Sequence, residues 1–157
     1  MSEGTPELRF FSTEEVIQLH AIALEYGDGT PGLRDPGQLD SAVHAPWNRY
    51  LYTECGVHEI AAAYAFGLAQ SQTFLDGNKR VAVLAAITFL EIHGYVIEDA
   101  MPIYDELIGI AEHKASIESL RDCLIKICKP GKSAQTQGPG LLEKLLRTLR
   151  AIMPGLG

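Results

Sequence analysis

Residues 81–87, Val-Ala-Val-Leu-Ala-Ala-Ile, offer no polar side chain over two helical turns. A helix without a polar face has to be covered on every side, so this one belongs in the middle of its domain. It opens near Asn78 and closes at Gly94, and the rest of the chain supplies what can surround it. A first helix is signalled by Ser12 as N-cap with Glu15 three residues on, a capping box, and by apolar positions at Val16, Leu19 and Ala23 before Gly27 stops it. Asp35 followed by Pro36 reads as the N-cap and first residue of a short helix that ends before Pro46. A third helix is expected from about Val57 to Gln70, with Ile60, Tyr64 and Leu68 at i, i+4 and i+8. Beyond the central helix, Tyr95-Val96-Ile97 fits a short extended piece. Pro102 opens a further helix, and Ser116 caps a last one reaching about Cys128, with Ile117, Leu120, Leu124 and Ile127 inward. Strand alternation of useful length is absent, so the class is all-α.

A core of this kind needs length, and 157 residues are enough to bury roughly two thirds of the unfolded surface without disulfides or a structural metal. Cys55, Cys123 and Cys128 are too few and too irregular for a disulfide framework or a zinc site, which points to a reducing cytoplasm. No run reaches the roughly 18 apolar residues of a membrane span, and the N-terminus lacks the basic-then-apolar order of a signal peptide. The balance of 13 Lys and Arg against 20 Asp and Glu argues against a nucleic-acid binder. Residues 1–128 hold 8 basic against 19 acidic side chains, whereas residues 129–157 hold five against Glu143 alone. The chain therefore divides into an acidic domain over 1–128, a Gly, Pro, Ser and Gln-rich linker over 129–140, and a basic tail over 141–157. In the tail, Leu142, Leu145, Leu146, Leu149 and Met153 share one helical stripe, away from Lys144, Arg147 and Arg150. A helix this short orders only against a surface. The candidates are a groove on its own acidic body, a second copy of the chain or an anionic membrane face, and the body's charge favours a protein groove.

The chemistry-bearing segment is Gln72-Thr73-Phe74-Leu75-Asp76-Gly77-Asn78-Lys79-Arg80, between the third helix and the central one. A Gly-Asn pair at the start of a buried helix provides backbone freedom and free N–H groups, the ingredients of an anion site. Lys79 and Arg80 add positive charge, and Asp76 adds one carboxylate of the kind Mg²⁺ accepts when phosphate oxygens complete its shell. Together they read as a Mg-nucleotide phosphate cradle. The competing reading is a polar loop with a capping side chain and two solvated cations.

These residues resemble the Fic/Doc family motif, His-x-Phe-x-Asp/Asn-Gly/Ala-Asn-Lys-Arg in its Doc (death-on-curing) branch. The following VAVLAAITFLEIHGY is similar to the family's central helix, and STEEVIQLH and PGLRDPGQLDSAV also look like the Doc branch, so the similarity covers about residues 8–128. In the AMP-transferring Fic branch Lys79 would be Gly and Val83 would be Arg, and neither holds here. The resemblance implies a compact bundle of about six helices binding ATP with Mg²⁺ before the central helix. It implies a transferase that phosphorylates a protein hydroxyl, with elongation factor Tu as the type of target, whereas Fic relatives mostly transfer AMP. By match of position, Asp76 would hold Mg²⁺, Gly77 and Asn78 would line the anion pocket, Lys79 and Arg80 would bind phosphates, and Phe74 would anchor the loop. The family's self-inhibitory helix pattern is missing, so restraint of a toxin would come from a separate antitoxin.

One position departs from the motif. Gln72 stands where the family has the histidine that takes the proton from the attacking hydroxyl. An amide has no useful basicity near neutral pH, and losing a general base typically costs on the order of 10²–10⁴ in rate. The alternative function is therefore a non-catalytic nucleotide- or protein-binding module. Of the other histidines, His58 lies 14 residues before Gln72, roughly 21 Å along a straight helix, and His93 is about as far along the next. His20 sits on or beside an apolar stripe and reads as structural, while His44 and His113 have no recognisable partners. Arg34 reads as an anchor tying its loop to an acidic helix end or as a substrate contact, and Cys123 and Cys128 as core-facing. Trp47, Tyr50 and Tyr52 are either packing or a partner surface.

Overall fold

A computed structural model of the chain describes residues 8–25 and 29–131. In order, its elements are α1 (Thr13–Leu24), α2 (Pro36–Tyr52), α3 (Val57–Ser71), α4 (Asn78–Ile92), β1 (Tyr95–Ile97), α5 (Met101–Ala111), α6 (Ile117–Ile127) and β2 (Cys128–Pro130). The all-α class holds: six helices and one small antiparallel pair. Every residue from Arg80 to Leu90 of α4 is buried, as the apolar run requires of a central helix. Alanine-rich α3 lies along it, and α1, α2, α5 and α6 close the shell. Small residues let α2 and α3 approach closely; a methyl added at Gly67 would sit 3.6 Å from the Ala42 Cβ. An aromatic knot of Phe11, Tyr64 and Phe89 fills the core between α3 and α4, with ring centroids 5.0–5.8 Å apart. The buried Tyr64 hydroxyl accepts the Phe11 N–H at 2.8 Å, and burial pushes its phenol pKa up to about 12.

The Ser12 and Ser116 caps form as expected, each within a capping box. α1 ends at Leu24, and Gly27 lies outside the described residues. α2 corrects the expectation of a short helix: it runs through Pro46 to Tyr52. Pro46 gives up one hydrogen bond to residue 42, but it lies on the buried stripe of Leu39, Ala42 and Val43. Beyond it Trp47 and Tyr50 pack on Phe10, at 5.1 and 5.6 Å between centroids. Tyr52, by contrast, is 83% exposed. The last turns of α2 are also pinned by ions: Arg49 donates to Glu59 of α3 and to Glu118 of α6, each at 2.7 Å, and Arg121 of α6 reaches Glu59 at 3.2 Å.

β1 is the short extended piece read at Tyr95–Ile97. Its partner was not foreseen: Cys128, Lys129 and Pro130 pair with Ile97, Val96 and Tyr95, so the first linker residues are part of a strand. Gly131 continues the contact by donating to the Gly94 carbonyl at 2.8 Å. The remaining linker and the amphipathic tail helix expected over 141–157 lie outside the described residues.

Candidate active site

α3 ends at Ser71, and Gln72 turns the chain with a left-handed φ of 51°. The segment that follows is tied on both sides. From the α1–α2 loop, Arg34 N–H donates to the Thr73 carbonyl at 2.7 Å, and Leu75 N–H donates to the Gly32 carbonyl at 3.1 Å. From α4, the Asn78 side chain closes a ring on Phe74: its Oδ1 accepts the Phe74 N–H at 3.0 Å and its Nδ2 donates to the Phe74 carbonyl at 2.9 Å. Phe74 itself is buried, stacked on His20 with ring centroids 3.7 Å apart and planes 9° from parallel. The His20 Nε2–H donates to the Asp76 carbonyl at 2.7 Å. Burial lowers the His20 pKa, with the Arg80 charge acting the same way against the pull of the Asp76 bond. His20 is therefore a neutral prop for the loop, as an apolar-face histidine should be. Gly77 then enters α4 at φ 78°, where an added Cβ would lie 3.2 Å from Leu24 Cδ2 and 3.5 Å from His20 Nε2.

The loop so built forms one wall of a cavity of about 440 Å³. Gln72, Asp76, Gly77, Asn78, Lys79 and Arg80 all line it. Lys79 is exposed and Arg80 is buried, so the two cations differ in kind. The Arg80 guanidinium donates to the Ala23 carbonyl at the end of α1 at 3.2 Å and lies under the turn at Gly77. The reading of two solvated cations thus fails for Arg80. Asp76 presents its carboxylate at the surface, where Oδ2 accepts the Thr30 N–H at 3.0 Å. α5 and the turn after it also line the cavity, with Tyr104, Leu107, Ile110 and His113. Polar and cationic groups of the loop, together with Leu107 and Ile110, suit a ligand with phosphates at one end.

The family model for the Fic/DOC family matches residues 10–90, which spans α1 to most of α4 and the whole loop. The chain belongs to the Fic/DOC family. Among curated proteins it is similar to the protein kinase Doc of Escherichia phage P1, 31% identical over 121 residues that cover 76% of this chain and 96% of the relative. It is also similar to the toxin Doc of Mycolicibacterium smegmatis, 36% identical over 87 residues, covering 54% of this chain and 65% of that protein. Both relatives place the chain in the Doc branch of the Fic/DOC family.

Against the Fic/DOC motif, the residues at the Doc-type loop take up distinct positions. Gln72 is exposed at the mouth of the cavity, and its Oε1 accepts from Arg34 Nη1 at 3.4 Å. Arg34 thus reaches the motif itself rather than an acidic helix end, and forms no ion pair among the described residues. Asn78 lines the cavity, and its amide uses one acceptor site and one N–H in holding Phe74. His58 lies elsewhere, 3.0 Å from the Cys128 Sγ, and His93 bonds the Phe89 carbonyl and the Arg9 N–H. His44 bonds the Asp40 carbonyl. Cys123 and Cys128 are half-buried, Cys128 packed against the core as expected, with thiol pKa values raised by burial. Tyr104 and His113 escaped the sequence reading as site residues, because only the folding of α5 across the cavity brings them to it.

No group of three His, Cys, Asp or Glu side chains converges among the described residues, so they form no self-sufficient metal cage. One exposed carboxylate beside two cations fits Mg²⁺ that is held chiefly by phosphate oxygens and water. No helix among the described residues is long and apolar enough to cross a membrane.

Proposed function

We propose that the cavity binds ATP with Mg²⁺ and that the protein is a Doc-type toxin scaffold for phosphorylating a protein hydroxyl, on a translation factor such as elongation factor Tu. The observation that carries this reading is the one cavity that Asp76, Gly77, Lys79 and Arg80 all line at the N-terminus of α4, the helix buried from Arg80 to Leu90. Phosphoryl transfer asks chiefly for positioning and charge neutralisation, which that lining supplies. Lys79 and Arg80 draw in the phosphates, and the backbone N–H groups at the start of α4 receive them. Arg80, fixed to Ala23, keeps its charge in place without reorganisation. Asp76 would hold Mg²⁺, which neutralises phosphate charge when bound. Asn78 keeps the loop shaped, and Phe74 locks it to the core. Transfer is slow because Gln72 cannot take the hydroxyl proton. A toxin of the kind that the Mycolicibacterium smegmatis relative is named for would be restrained here by a separate antitoxin. AMP transfer is the lesser chemistry on the same scaffold.

A second reading, a binding module without turnover, is favoured by one contact. Arg34 can only donate, so the Gln72 amide must turn its oxygen to Arg34 and offer its NH₂ group elsewhere. An NH₂ group donates to phosphate but accepts no proton. Labelled-phosphate and labelled-adenylate transfer into a bacterial lysate, wild type against Gln72→His, separates the two. The transferase reading expects gain of phosphate label by about 10²-fold or more in Gln72→His. No gain with either label leaves the binding module.

A further inference from the structure

His113 closes α5 in a conformation that a side chain ordinarily avoids. Its φ is 60°, and the turn has the bonds of a glycine-type helix stop: His113 N–H to the Ile110 carbonyl at 2.9 Å and Lys114 N–H to the Gly109 carbonyl at 2.7 Å. Glycine would hold this turn at lower cost. The imidazole nevertheless stands there, on the wall of the cavity that also contains Gln72 and the 76–80 cradle. It is also the only histidine among the described residues whose ring nitrogens make no hydrogen bond. The other four are engaged with Asp76, Asp40, Cys128, and Phe89 together with Arg9. A strained, exposed and unengaged imidazole at a cavity is the arrangement expected of a working group rather than a structural one.

We propose that His113 is the proton acceptor of the transfer reaction, in place of the histidine missing at position 72. The proposal rests on the reading that the cavity takes ATP and a protein hydroxyl. In the step, the hydroxyl oxygen forms a bond to the γ-phosphorus as the bond from that phosphorus to the β–γ bridging oxygen breaks, its electron pair leaving on ADP. The hydroxyl proton passes to the free nitrogen of neutral His113 and then to solvent, on the ring's exposed side. The products are a phosphate ester and ADP. The titratable and charged groups that line the same cavity are Lys79 and Arg80 of α4, Asp76 of the loop and Tyr104 of α5. The chain neighbours of His113, Glu112 and Lys114, pair with each other at 3.4 Å and add no net charge.

The test uses the full chain as wild type, His113→Gly, Gln72→His and the double variant. Calorimetry with Mg-ATP first checks the underlying reading; no binding by wild type overturns that reading and this proposal with it. Given binding, the His113 ring signal in NMR, assigned by its loss in His113→Gly, should shift on adding Mg-ATP. An unmoved signal in a nucleotide-bound protein overturns the proposal alone. His113→Gly should melt higher by roughly 2–4 °C, because the turn is relieved, while phosphate transfer from labelled ATP into lysate falls about 10²-fold. Transfer should return when Gln72→His is added to His113→Gly. Unchanged transfer in His113→Gly, or no measurable transfer by wild type at saturating Mg-ATP, overturns the proposal.

Discussion

Gly77 is the residue on which the loop depends most, since its φ of 78° and the 3.2 Å approach of Leu24 leave no room for a side chain. Gly77→Ala should cost about 1–2 kcal/mol from the left-handed backbone alone, read as a lowered midpoint in urea denaturation; an unchanged midpoint would show that the turn is not held as described. Asn78 makes a separate prediction. Replacing it by Ala leaves the Phe74 N–H and carbonyl without partners in a half-buried position, at a cost of about 1–3 kcal/mol. Because the amide holds the Phe74 backbone, Asn78→Ala should weaken Mg-ATP binding through a loosened loop, together with a lower melting temperature. Weaker binding at full stability would instead mean direct contact with the ligand. How far such residues were legible in sequence varies with what their roles depend on. Asp76 to Arg80 stood out because a helix N-terminus, glycine and cations are adjacent along the chain. The burial of Arg80 and the inward bonds of Asn78 depend on where the end of α1 and the backbone of Phe74 come to lie. His113 lies 33 residues beyond Arg80, and only tertiary folding brings the two to one cavity.

Helix starts were readable to within a residue or two because capping is local: Ser12, Asp35 and Ser116 each accept hydrogen bonds from their own first turn. α2 shows where local rules lose. Pro46 signals a stop, yet it ends a buried stripe of Leu39, Ala42 and Val43, and the ring contacts of Trp47 and Tyr50 with the ion pairs of Arg49 outweigh one lost hydrogen bond. β2 was invisible for a related reason, since three residues carry no periodicity and need β1, more than 30 residues earlier, as partner. Histidines on three helices give a prediction about acid. His20 on α1, His58 on α3 and His93 at the end of α4 all have pKa values lowered from 6.5, chiefly by burial. The unfolded chain therefore takes up protons before the folded one does. Stability is fully present above pH 6.5 and is lost as pH falls through that value towards the lowered folded values. The melting temperature should drop between about pH 7.5 and 5.5, and a His20→Asn variant should show a shallower drop; a flat or rising profile contradicts the assigned burial of the rings.

The described residues form a helical body of acidic composition, and residues 141–157 carry Lys144, Arg147 and Arg150 against Glu143 alone. We propose that the sequence of this segment, read as an amphipathic helix with three cations, docks on the body or on a second copy. Deleting residues 134–157 should accordingly lower the melting temperature or change the mass seen by light scattering; if neither moves, and liposome binding is also unchanged, the tail has no docking role. The central claim concerns the body: a Doc-type loop, folded onto α4 by Phe74, Asn78 and His20, keeps a phosphate cradle even though Gln72 replaces the base. Titration calorimetry with ATP and Mg²⁺ tests it most directly, on wild type, Lys79→Ala and Asp76→Asn. Wild type should bind ATP, more tightly with Mg²⁺ than without. Lys79→Ala should bind at least about tenfold more weakly, the loss of one charge-assisted contact, and Asp76→Asn should lose most of the advantage that Mg²⁺ confers. Absence of binding by wild type, or equal affinity in all three proteins, would contradict the account.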